Sequence, residues 1–104
     1  MKELEVTVET VESTIVLRAV GLVDSNTAPY LQEFLLRAVE SPGSAVQLDL
    51  AEVPHMSSVG LRVLLLAAKT LQKRGARLRL TNVSPNIYNI LHTTGFTSFI
   101  DVNS

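Results

Sequence analysis

A chain of 104 residues can bury one apolar core and is too short for two independent ones, so a single domain spanning residues 1–104 is expected. Apolar residues make up 46% and charged residues 18%, with 4 Pro and 5 Gly, a balance that excludes a disordered chain. The formal net charge of -1 gives no electrostatic basis for holding nucleic acid, whose binding rests on Lys and Arg displacing condensed counterions.

Leu4, Val6 and Val8 alternate with Glu3, Glu5, Thr7 and Glu9, the period of a strand with one face in water, and the acidic face predicts an edge or an open surface. A second strand is expected from about Thr14 to Val20, joined to the first through Glu9 to Ser13 as an antiparallel hairpin and ended by Gly21. Leu31, Phe34, Leu35, Ala38 and Val39 then repeat at helical spacing. Asp24-Ser25-Asn26-Thr27 precedes them as a set of N-cap candidates, with Pro29 tolerated in the first turn.

Ser41-Pro42-Gly43 breaks this helix, and Val46, Leu48 and Leu50 open a third strand whose apolar character predicts a central place in the sheet. A loop from Ala51 to Ser57 leads to a helix over Val59 to Gln72, whose core stripe reads Leu61, Leu64, Leu65, Ala68 and Leu71, with Gly75 as its C-terminal glycine. A fourth strand follows at Leu78 to Thr81 and a short helix begins at Ser84-Pro85, carrying Ile87, Ile90 and Leu91. Gly95 stops that helix before a last strand from about Ser98 to Val102. The order predicts an α/β domain: a mixed sheet of four to five strands, parallel in its later part, packed with about three helices.

Without Cys there is no disulfide, thiolate nucleophile or Cys-ligated zinc, and His55 and His92 are the only imidazoles; no metal or other cofactor is expected. Lys73, Arg74, Arg77 and Arg79 form a basic cluster that reads as a solvated helix end and strand face. The charged, alternating N-terminus lacks the apolar stretch of a signal peptide, and no run is apolar enough to span a bilayer, so the protein reads as cytoplasmic with no direct membrane insertion.

The chemistry concentrates in His55-Met56-Ser57-Ser58-Val59-Gly60-Leu61-Arg62, which sets two hydroxyls at the mouth of a helix on the carboxyl side of the sheet. Unpaired N–H groups and the positive dipole end make a phosphate on Ser58 tolerable there. The plainer reading is that Ser57 or Ser58 caps the helix, and both readings hold together. Ser58 with His55 as a hydrolytic pair would also need an orienting carboxylate and oxyanion geometry, and the motif departs from the Gly-x-Ser-x-Gly elbow. His92 reads as a capping or surface residue at its helix end, and there is no Walker-type glycine loop for a nucleotide.

Ser57-Ser58-Val59-Gly60-Leu61 followed by Arg62-Val63-Leu64-Leu65 resembles the signature of STAS domains in anti-sigma factor antagonists, commonly Asp-Ser-Ser-Gly-Leu or Ser-Ser-Ala-Gly-Leu. Gly21-Leu22-Val23-Asp24-Ser25-Asn26-Thr27-Ala28 is similar to the family's Gly-x-hydrophobic-Asp segment, and Val46-Gln47-Leu48-Asp49-Leu50 to its central strand, so the likeness covers nearly the whole chain. Val59 departs from the second Ser or Ala, Ser57 stands where Asp is frequent, and the family's usual C-terminal helix has no counterpart after Val102.

The resemblance implies a protein that is not an enzyme and that acts by partner switching. Unphosphorylated, it binds an anti-sigma factor with serine kinase activity; phosphorylated at Ser58, with Ser57 the competing position, it is released, and a phosphoserine phosphatase resets it. The expected partner surface is Asp24, Ser25, Asn26, Thr27, His55, Met56, Ser57, Val59, Gly60, Arg62 and Val63, provided strands two and three are neighbours. Val59, Val63 and Leu66 form a second apolar stripe on the helix that an interface would use. The alternative is a STAS scaffold or accessory subunit that binds another signalling or transporter protein without a phosphorylation switch.

Overall fold

The computed structural model describes residues 4–41, 43, 45–98 and 100–103. The elements run β1 (Leu4–Val11), β2 (Thr14–Gly21), α1 (Ala28–Val39), β3 (Ala45–Glu52), α2 (Ser58–Gln72), β4 (Leu78–Thr81), α3 (Pro85–Thr93), a 3-10 turn (Phe96–Ser98) and β5 (Ile100–Val102). They build one five-stranded sheet in the order β1-β2-β3-β4-β5. β1 is antiparallel to β2, and the remaining pairs are parallel.

Because β2, β3, β4 and β5 step in one direction across the sheet, right-handed crossovers lay all three helices on the same face. Burial follows the period of two that this demands. Leu17, Ala19, Val46, Leu48, Leu50, Leu78 and Leu80 point into the core beneath the helices, while Arg18, Val20 and Arg79 on the other face are exposed. β3 lies at the centre, as its apolar character predicts, and β1 with its acidic face lies at an edge.

The hairpin connection is tighter than the sequence reading, which spread it over Glu9 to Ser13. Pairing continues to Val11 opposite Thr14, so Glu12 and Ser13 alone make the turn, with Glu12 at φ 57. The last strand is shorter than expected: Ser98 turns back on Gly95, its N–H and hydroxyl both donating to the Gly95 carbonyl at 3.2 and 2.7 Å, and β5 starts at Ile100.

The buried face of α2 is wider than the leucine pattern implies. It runs Gly60, Val63, Leu64, Ala67, Ala68 and Leu71, leaving Leu61 and Leu65 half-buried at its margin. Small residues let a helix come close to its neighbours, and α2 packs both on the sheet and against α1. The basic cluster at the far end of the fold holds chain segments together: Arg74 donates to the Ser41 carbonyl at 2.8 Å and Arg77 pairs with Asp101 at 2.8 Å.

Candidate functional site

At the carboxyl end of β2 the chain passes through Leu22 and Val23 into the turn before α1. Val23 pairs with Met56 as a short parallel bridge beyond the named strands. The Ser57 N–H donates to the Val23 carbonyl at 2.8 Å, and the Val23 N–H donates to the His55 carbonyl at 3.3 Å. β2 and β3 are therefore neighbours, and their outgoing segments, Asp24 to Thr27 and His55 to Ser58, are tied side by side.

Asp24 and Thr27 lock the first segment. Asp24 Oδ1 accepts from the N–H groups of Asn26 and Thr27 at 2.9 and 3.1 Å. The buried Thr27 hydroxyl donates to the Leu22 carbonyl at 2.8 Å and accepts from the Asp24 N–H at 3.0 Å. Thr27 is the residue that precedes α1, but its side chain caps the incoming turn rather than the helix. The turn is thus closed on itself, with Ser25 and Asn26 at its exposed tip.

The second segment is placed by Gly60. A Cβ on this residue would stand 2.5 Å from Val23 Cγ1 and 2.6 Å from Met56 Cγ, so the first turn of α2 rests directly on the Val23–Met56 bridge. Ser57 is the N-cap, its hydroxyl accepting from the Gly60 N–H at 3.4 Å. With the Ser57 N–H committed to Val23 and the Gly60 N–H to Ser57, the N–H groups of Ser58 and Val59 remain at the helix mouth without an intrahelical acceptor. Ser58 opens α2 with an exposed side chain. The two serines therefore divide the roles: Ser57 holds the helix and Ser58 presents its hydroxyl outward.

Among the expected surface residues, Ser25, Asn26, His55, Ser58 and Arg62 are exposed, and Asp24, Ser57 and Val59 are half-buried. Thr27, Met56, Gly60 and Val63 are not surface residues. Met56 is 2% exposed and Val63 5%, because the bridge to Val23 and the packing of α2 turn both into the core. They shape the face from beneath, and of the second apolar stripe only Leu66, at 43%, stands clear. Leu22, whose carbonyl accepts from the Thr27 hydroxyl of the locked turn, also has an exposed side chain, at 49%. The other imidazole lies on another helix: His92 stacks on Tyr88 along α3, with ring centroids 6.0 Å apart.

Asp49 is the other residue whose role the sequence conceals. Pairing between β2 and β3 shifts register after Arg18, and Asp49 Oδ1 accepts the Ala51 N–H at 2.9 Å there. The same oxygen accepts from Asn82 at 3.1 Å, while Oδ2 lies 3.7 Å from Arg18 Nε. The carboxylate thus links β2, β3 and the residue that follows β4.

Residues 5–104 match the STAS domain family. The chain is 31% identical over 101 residues to the anti-sigma-B factor antagonist of Bacillus subtilis, covering 97% of this chain and 92% of that protein. The fold superposes on an anti-sigma factor antagonist from Mycobacterium paratuberculosis with a TM-score of 0.86 at 25% identity, over 96% of this chain and 85% of that one. A sulfate transporter family protein from Wolinella succinogenes shares the fold at a TM-score of 0.75 and 22% identity, over 91% of this chain and 80% of its own. The match over residues 5–104 and the likeness to the Bacillus subtilis protein together show that the chain belongs to the STAS domain family, among the anti-sigma factor antagonists.

Proposed function

We propose that this protein works by partner switching, with Ser58 as the phosphorylated residue. Unmodified, it holds an anti-sigma factor that is also a serine kinase, through the face made by Asp24 to Asn26, His55, Val59 and Arg62. That kinase moves the γ-phosphoryl of ATP onto Ser58: a P–O bond to Oγ forms, the bond to the ADP oxygen breaks, and the hydroxyl proton passes to a base of the kinase. The modified protein leaves, and a phosphoserine phosphatase restores it. The chain itself serves as the acceptor and contributes no catalytic group, and it acts in the cytoplasm where sigma factors work.

The observation that supports this reading best is the exposed Ser58 hydroxyl at the first position of α2, held beside a turn that its own hydrogen bonds keep rigid. A phosphate adds about -1.5 to -2 charges, stable in water at a helix mouth and costly when pressed against a partner with no new cations. A modification at this place alters the face without disturbing the core.

The shared fold of the transporter family protein favours one other reading, a scaffold that binds a partner constitutively. Site-resolved mass spectrometry on protein recovered from its native host, free and partner-bound, separates the two. Phosphate on Ser58 in the free pool, with unmodified protein bound to a kinase-like partner, is the expected result. No phosphate under any growth condition, together with unchanged binding by Ser58→Asp, would replace the switch with the scaffold.

A further inference from the structure

The charged side chains of α2 are all cationic. Its fifteen residues, Ser58 to Gln72, include Arg62 and Lys69 but no Asp or Glu. An N-terminal anion is what the helix dipole favours, and this helix has none in its first turn. Arg62 is exposed, and no carboxylate pairs with it among the described residues. It lies four residues after Ser58, and side chains at that spacing share one face of a helix. Helical side chains also lean toward the N-terminus, which carries the guanidinium back over the Ser58 position.

We propose that Arg62 is the intramolecular counterion of phosphorylated Ser58. This rests on Ser58 being the modified residue and adds how the modified state is held. The guanidinium offers a planar pair of donors that matches phosphate oxygens, and the phosphate supplies the anion that the start of α2 lacks. Phosphorylation then changes the face twice. It adds an anion at Ser58, and it withdraws the cation at Arg62 from contact with anything outside. Arg62 is a positioning residue here: it takes no part in transferring the phosphoryl group, and it orients the product along the helix.

The test needs no kinase. Full-length protein is made with phosphoserine installed at position 58 during translation, in the wild-type sequence and with Arg62→Gln or Arg62→Lys, and the second ionisation of the phosphate is followed by phosphorus NMR. A guanidinium in reach favours the dianion, so the midpoint in the wild-type sequence falls roughly 0.2–0.4 pH unit below that of Arg62→Gln, the size an exposed pair at this spacing produces. Arg62→Lys recovers part of the shift, and 1 M salt removes most of it. Circular dichroism confirms that all three chains are folded. Equal midpoints in folded wild-type and Arg62→Gln protein would overturn the pairing. Because the phosphate is installed directly, that failure is distinct from failure of the switch, which would show as absence of phosphate on Ser58 in the native host.

Discussion

Gly60 lies so close to Val23 that a Cβ on it would stand 2.5 Å from Val23 Cγ1, and the same contact fixes the first turn of α2 over the end of β2. The glycine of the serine motif is thus a packing residue, the point where helix and sheet touch. Its neighbours are side chains rather than backbone, so a methyl group forces Val23 and Met56 aside. Gly60→Ala is expected to lower stability by about 1–3 kcal/mol, the usual cost of overpacking. In urea unfolding, Val23→Ala in the same chain should recover part of that loss. Additive losses would show that the clash is not what limits the position.

Ser57 and Ser58 should separate cleanly. Ser57→Ala removes the cap on the Gly60 N–H, a long bond at 3.4 Å, and is expected to cost about 0.5–1 kcal/mol, the lower part of the range for lost caps. Ser58→Ala removes an exposed hydroxyl and should stay within about 0.5 kcal/mol of wild type while abolishing phosphate incorporation. Chemical denaturation with both single variants checks the first statement, and radiolabelled phosphate transfer in a host extract checks the second.

Thr27 supports the neighbouring turn by hydrogen bonding rather than by bulk. Thr27→Val keeps the shape but leaves the Leu22 carbonyl and the Asp24 N–H without their partner, at a cost of about 1–3 kcal/mol. Amide hydrogen exchange should rise at Asp24, Asn26 and Thr27 in this variant while the amides of α3 keep their protection. Uniform loss of protection across the chain would mean that the turn is not an independent unit.

Glu12 occupies the left-handed region in the hairpin turn, where a side chain longer than Asn is disfavoured. Glu12→Asn is expected to raise stability by a few tenths of a kcal/mol, on the order of 0.3–0.8, visible as a higher thermal midpoint. A lower midpoint would show that Glu12 makes a compensating interaction in the folded chain.

Leu66 is exposed on the outward side of α2, two helical turns beyond Ser58. Leu66→Ser should leave the unfolding free energy nearly unchanged and weaken capture of the kinase-like partner several-fold. Equal capture by both proteins would confine the docking face to the loop and first turn.

Periodicity carried much of this structure. The alternation around Leu4 to Val8, the leucine repeat from Leu61 to Leu71 and the breaks at Gly21, Gly75 and Gly95 mark elements because side-chain direction and turn conformation are local properties. The serine pair could be placed at a helix mouth for the same reason, and the resemblance of its motif named the family. Local pattern does not say what flanks an element. Val63 reads as an outward valine until α2 is seated against both α1 and the sheet, which widens its buried face and draws in Gly60 and Ala67. Met56 looks like part of a free loop until Val23 bridges to it. The division of labour between Ser57 and Ser58, the closure of the Asp24 turn by Thr27 and the use of Asp49 at a register shift all depend on which atoms long-range packing brings within hydrogen-bond reach. The amino-acid order determined the elements and the place of the serine pair at a helix start, whereas the tertiary structure decided which neighbouring side chains remain on the surface beside it, because burial depends on what packs against each element.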